Sequence, residues 1–205
     1  TKLIEKIQKY LVETLKFDPE AIHFTGMVVL YNNMLQSLYR SQILTIGVVF
    51  IAIMFMFMIL FKSFSLAIIG IIPNLLAAAT VLSLMGWLGI PLDMMTITIA
   101  AITLGIAVDN TIHYIHRFQK EFKVDQSYLA SMNRCHGSIG KAMYYTSVTI
   151  TLGFSILALS EFMPTIYFGL LTGAAMVVAL LGSLTLLPLL IVVFHPLDAA
   201  KGEAN

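Results

Sequence analysis

An all-α bundle of five membrane-spanning helices, preceded by the end of an α+β domain, is the fold class this sequence predicts. Three observations predict it. Hydrophobic residues make up 59% of the chain and charged residues only 11%, which is not the balance of a water-soluble domain. The apolar residues gather in runs of about 20, the length that crosses a bilayer as a helix. By contrast, residues 2–30 carry the patterning of segments that live in water. The formal net charge of +1, with no basic stripe, argues against a nucleic-acid partner. A single cysteine, Cys135, rules out an internal disulfide. No catalytic triad, zinc spacing or phosphate-binding glycine loop is present, so neither an enzyme nor an ATP-driven pump is expected, and no cofactor or metal is called for.

Taken in order, residues 2–15 place Leu3, Ile4, Ile7, Leu11 and Leu15 on one stripe and Lys2, Glu5, Lys6, Lys9 and Glu13 elsewhere, an amphipathic helix. Phe17-Asp18-Pro19-Glu20 ends it, and 21–30 (AIHFTGMVVL) reads as a short strand with a bulge at Gly26. One helix and one strand cannot bury a core, so 1–30 is expected to close an α+β domain that begins upstream. The missing initiator Met points to a fragment as well. Residues 31–42 form a helical lead-in to the first span, 43–61, whose Met54, Met56 and Met58 point to different helix faces and read as lipid or core contacts. The second span, 66–88, is bent at Pro73-Asn74, where proline frees a carbonyl that neighbours can satisfy. Gly86, Gly89 and Pro91 end it, and Asp93 opens the third span, 94–116. Residues 117–141 read as a loop with a surface helix at 126–136. The fourth span, 142–160, and the fifth, 165–194, interrupted at Pro188, are joined by a tight turn at 161–164. Residues 195–205 are a tail.

The third span holds the residue around which the rest is read. Asp109 lies in an apolar helix-length run, where a carboxylate costs about 2.5–3.5 kcal/mol on insertion scales and is usually kept for function. At helical spacing it shares a face with His113 and His116 on one side and with Gly105, Ala101 and Thr98 on the other. Gly105 and Ala101 are small enough to let a neighbouring helix approach, so Asp109 is expected to point into a bundle. Asn110, Thr103 and Thr96 form a second polar line at heptad spacing. In the fourth span Ser147, Thr151 and Ser155 make a ladder of hydroxyls. These either face the carboxylate or bond back to their own helix. The lesser alternative is that Asp109 is a fixed partner that locks two helices.

Orientation follows from the loops. Lys62, Arg117, Lys120, Lys123, Arg134, Lys141 and Lys201 fall on one side, and the turns near Asp93 and Glu161 hold no Lys or Arg. By the positive-inside rule the basic side is cytoplasmic, which puts the C-terminus inside and the α+β segment outside.

This order of elements resembles the repeat of resistance-nodulation-division (RND) transporters, and more narrowly the predicted RND-type exporters of the MMPL group. The residues that carry the likeness are Gly105-Ile106-Ala107-Val108-Asp109 (GxxxD) with the following TIHYIHRFQKE, Pro73 in IIPNLL, and Gly89-Ile90-Pro91-Leu92. Tyr145-Thr146-Ser147 leading to Gly153-Phe154 and Leu159-Ser160, and Leu186-Leu187-Pro188, complete the set. The resemblance implies a ferredoxin-like porter domain for 1–30, an N-terminal repeat of the same polypeptide, and a place in a bacterial inner membrane. It implies a proton relay at Asp109 with His113 and Asn110, supported by Ser147, Thr151 and Ser155 and driven by the proton gradient. Hydrophobic or lipid-like substrates, membrane lipids, and an oligomer or periplasmic carrier are the partners implied. Two positions depart from the pattern: Asn110 and Ser183 stand where relatives often carry acids. The same five-span unit also resembles the sterol-sensing domain of Patched-like proteins, which offers a lipid-binding, regulatory reading. A relay of this kind requires the Asp109 carboxyl to be shielded from both lipid and bulk water.

Overall fold

The computed structural model describes residues 2–14, 16–17, 26–90 and 94–197. Among these, every regular element is helical. The chain divides into two compact units, Thr1–Thr45 and Ile46–Asn205. The first holds α1 (Lys2–Glu13), as the amphipathic stripe requires. The strand expected at 21–30 is not borne out where it can be judged: residues 27–30 already belong to α2 (Met27–Phe61), and 18–25, His23 among them, lie outside the described residues. No strand occurs among the described residues, so the porter domain is not seen. The helical lead-in therefore starts at Met27 rather than near Tyr31.

Among the described residues, five helices are long and apolar enough to cross a membrane: Val29–Phe61, Phe64–Trp87, Thr98–Asp125, Tyr128–Leu159 and Met163–Phe194. The second unit begins within the first of these and holds the other four. After α2, Lys62 takes a left-handed conformation, φ 50°, and the Ser63 side chain accepts from Leu66 N–H, so the chain reverses in two residues and starts α3 (Phe64–Trp87) with a capped N-terminus. Gly89, φ 65°, closes α3: its N–H donates to the Gly86 carbonyl and the Ile90 N–H to the Met85 carbonyl, which satisfies the last carbonyls of the helix. Asp93 lies outside the described residues.

α4 (Met94–Asp125) runs nine residues beyond the expected end at 116, so the stretch 117–141 is a helical hairpin, whose second arm falls where a surface helix was expected at 126–136. Gln126 and Ser127 alone make the turn. Ser127 caps α5 (Tyr128–Cys135), which passes through a wide π turn, His136–Gly140, into α6 (Lys141–Ser155) and a 3₁₀ turn, Ile156–Leu159. The sequence reading stopped α4 at the first charges, Arg117 and Lys120. Lys120 is exposed and Arg117 half-buried, while Phe118 and Phe122 continue the buried stripe, and Tyr128 of α5 packs on Phe122 with ring centres 4.5 Å apart.

The last span is α7 (Met163–Leu181), a π turn at Gly182–Leu186, and α8 (Leu187–Phe194). The interruption attributed to Pro188 has a defined chemistry. Proline at 188 has no N–H to give the carbonyl four residues earlier, that of Leu184. That carbonyl lies 2.9 Å from Nε2 of His136. A carbonyl only accepts, so the imidazole is fixed with its proton on Nε2.

The interior is layered between α3, α4 and α7. Val81, Met85, Ile99, Leu171, Ala175 and Met176 fill one end. In the middle Ala77, Ala107 and Ala179 meet, and three methyl-sized side chains allow the close approach typical of helices in lipid. Towards the basic end, Phe57, Leu66, Tyr114, Ile115, Leu187 and Ile191 form the largest cluster. On the other flank α6 lies against α7 so closely that a Cβ on Gly169 would sit 2.6 Å from the Phe154 carbonyl oxygen.

Candidate functional site: two polar faces of the third span

The two polar lines on α4 lie on opposite sides of the helix. Thr96, Thr103, Asn110 and Thr111 are buried, together with Ala100, Leu104 and Ala107, on the side packed against α3 and α7. Ala101, Gly105, Asp109, His113 and His116 are exposed. The expectation that Asp109 points into a bundle is therefore not met within these five spans. Its carboxylate is 67% exposed, and His113 Nε2 is 3.4 Å from Oδ1. Nor is the small-residue pair Ala101–Gly105 used here: a Cβ on Gly105 would meet nothing within 4 Å. The physical reason is the neighbouring buried stripe. Burying large apolar side chains at 99, 104, 108 and 115 gains more than burying glycine and alanine, and with about 3.6 residues per turn that choice turns 101, 105 and 109 outward.

The hydroxyl ladder goes elsewhere. Ser147 is buried, and Thr151 and Ser155 lie where a Cβ on Gly173 of α7 would contact them at 3.6–3.8 Å. Ser155 Oγ donates to the Thr151 carbonyl at 2.7 Å, the back-bonding alternative. Thr151 and Ser155 thus lie against α7, whereas Asp109 is exposed with His113 beside it, and no contact joins ladder and acid among the described residues.

What α4 does turn inward is neutral and polar. Thr111 Oγ1 donates to Asn74 Oδ1 at 3.3 Å and to the Ala107 carbonyl at 3.0 Å. Asn74 Nδ2 donates to the Gly70 carbonyl at 2.9 Å. Asn74 precedes Ala77 by one turn, Asn110 and Thr111 follow Ala107 by one turn, and Ser183 follows Ala179 by one turn. Given the helix directions, all four sit in the layer below the triple-alanine contact, on its basic side. Asn110 Nδ2 and Ser183 Oγ in this layer, and Thr172 Oγ1 farther up α7, are buried without a hydrogen-bond partner. Both positions at which relatives often carry an acid, Asn110 and Ser183, thus lie in one buried, uncharged layer. Sequence reading saw Pro73-Asn74 only as a bend. The signal for Asn74 as a core contact was its single amide inside an otherwise apolar run.

At the basic end Glu121 sits between two guanidinium groups, Arg117 Nη2 at 2.7 Å and Arg134 Nε at 2.7 Å. Arg134 also bonds both oxygens of Asp125 at 2.9 Å and the Glu121 carbonyl at 3.0 Å. This network was not anticipated, because 117–141 read as a loop. Among the described residues no cluster of His, Cys, Asp and Glu could hold a metal ion.

Comparison with known proteins fits this architecture. The model of the MMPL family matches residues 1–201. A protein of Methanocaldococcus jannaschii described only as a membrane protein, MJ1562, is 29% identical over 183 residues, covering 89% of this chain and 47% of the relative. The chain thus spans about half the length of that relative. No solved structure matches it. With the family model matched over residues 1–201, the chain belongs to the MMPL family.

Proposed function

We propose that this five-span unit is one half of a proton-driven exporter in the cytoplasmic membrane, and that Asp109 carries the proton at the seam with a second half. The observation that carries the reading is the outward stripe Ala101–Gly105–Asp109–His113: small residues, then an acid, with open space above Gly105. Against acyl chains such a stripe would leave a carboxylate in hydrocarbon. Against another helix it becomes a close-packed seam in which the acid is shielded. The shielding that a relay needs is thus supplied by a partner surface, with the N-terminal repeat of the same polypeptide as its source. The basic side faces the cytoplasm.

In that seam the carboxyl alternates between neutral and ionised forms. At 100 mV one proton crossing supplies about 2.3 kcal/mol, to which a pH gradient adds. Hydrophobic or lipid-like cargo is the substrate class, handled at the outer domain or the outer membrane face. The buried layer of Asn74, Asn110, Thr111 and Ser183 carries no acid, so the relay of this half rests on Asp109. The test is Asp109→Asn in the intact polypeptide, reconstituted with an imposed proton gradient. Export should be lost while the protein folds and inserts normally. Unchanged export, or wild-type export insensitive to an uncoupler, defeats the reading. Uncoupler-insensitive lipid binding would favour the sterol-sensing alternative.

A further inference from the structure

Lys141, at the start of the fourth apolar run, lies deeper along the bundle than the turn that carries Lys62. Its depth follows from contacts. Gln119 Nε2 donates to the Phe61 carbonyl, which sets the α2–α3 turn level with Gln119. The Asn74–Thr111 bond lies eight residues up α4 from there, about 12 Å at 1.5 Å per residue. Gly182 packs on Pro73, and Gly140 on Leu184, so Gly140 and Lys141 belong to that same layer. Lys141 is exposed, and no ion pair to it occurs among the described residues. A cation so placed is a functional-site hypothesis in itself, and its partner has to be named.

The surroundings of Lys141 name it. A cavity of about 270 Å³ is lined by His136, Gly140, Lys141, Tyr144, Tyr145 and Leu184. The lining holds an ammonium group, two phenol hydroxyls and an imidazole, and no carboxylate. The ammonium and the two hydroxyls offer donors to an anion, the imidazole Nε2–H being already given to the Leu184 carbonyl. Tyr144 and Tyr145 meet edge to face, ring centres 5.7 Å apart at 70°, and His136 is tied to the Leu184 carbonyl, so two of the walls are fixed. The groove runs along the helix from His136, one and a half turns nearer the basic end, to Tyr145, one turn deeper. We propose that it binds the head of an anionic phospholipid from the leaflet on the basic side, with its phosphate at Lys141 and the tyrosine hydroxyls and an acyl chain along the exposed apolar face of α6. A lipid is the source because Lys141, Tyr144 and Tyr145 open onto a zone whose outward residues, such as Leu152 and Ile156, are apolar. A soluble anion would have to leave water to reach it. This site is independent of the relay proposed for Asp109.

Electron paramagnetic resonance with spin-labelled lipids, applied to the intact polypeptide in membranes, tests the assignment. Wild type should select phosphatidylglycerol over phosphatidylcholine, and Lys141→Gln should reduce that selectivity roughly five-fold, the effect of one lysine near an anionic lipid. Lys141→Arg should keep it, and Lys120→Gln and Lys123→Gln should alter it little. No selectivity in wild type, or equal losses in the Lys120, Lys123 and Lys141 variants, would mean general surface attraction and overturn the proposal. Competition by millimolar inorganic phosphate would also overturn it, because the ligand would then be a soluble anion. Should Lys141→Gln fail to insert, the wild-type selectivity and the Tyr144→Phe/Tyr145→Phe double variant, expected to weaken it, still decide.

Discussion

At the scale of single residues, the buried polar layer separates groups that bond from groups that do not. Thr111 Oγ1 reaches Asn74 across the α3–α4 contact, whereas Ser183 Oγ has no partner. Interhelical hydrogen bonds in membranes are worth about 0.6 kcal/mol on average and up to about 1.7 kcal/mol. Thr111→Val should therefore cost about that much in detergent unfolding. Ser183→Ala should be neutral or slightly stabilising, since it removes an unsatisfied hydroxyl. A clear loss of stability in Ser183→Ala would show that the hydroxyl is engaged after all. Asn110, one residue from Asp109, illustrates how sharply a helix sorts neighbours: one step of about 100° takes the side chain from the outer face to the core.

At the scale of elements, the helical hairpin of α4 and α5 is held by rings beside its turn and by a charge network that joins Arg134 to Glu121 and Asp125. Arg134 bridges Glu121 and Asp125, and Tyr128 lies against Phe118 and Phe122. Arg134→Gln should leave the spans intact and loosen the tip, read as faster hydrogen exchange over 118–135 and cleavage near Gln126–Ser127. Raising the salt concentration should narrow the difference from wild type, because exposed ion pairs are screened. The other informative element is the broken last span. Its π turn, Pro188 and the His136 imidazole form one arrangement, in which a carbonyl released by proline in α8 is taken up by a ring from the neighbouring π turn.

At the scale of the whole molecule, two glycines separate packing inside this unit from packing against another. Gly169 is where α7 touches the backbone of α6 and its 3₁₀ turn, and Gly105 is open to the outside. Gly169→Ala should destabilise the bundle by about 1–3 kcal/mol, the usual cost of overpacking, seen as a lower unfolding midpoint. Gly105→Leu should leave the stability of the unit unchanged and abolish export by obstructing the seam. If Gly105→Leu exports normally, the outward face of α4 is not a seam.

Much of this was legible in the residues themselves. The five spans come from apolar run length, α1 from its stripe, and the family from GxxxD in its setting, because each depends on local periodicity and composition. The length of α4, the merging of α5 into the fourth span and the helical start at Met27 were not legible. There the deciding terms are contacts with distant residues: Tyr128 on Phe122, Arg134 on Glu121, His136 on Leu184. The sequence by itself determined that an acid and two polar lines occupy the third span. Only the tertiary structure decided which line is buried, because burial depends on what α3 and α7 present to the helix, and three alanines and an asparagine on those neighbours and on α4 itself matched the neutral line and left Asp109 outside.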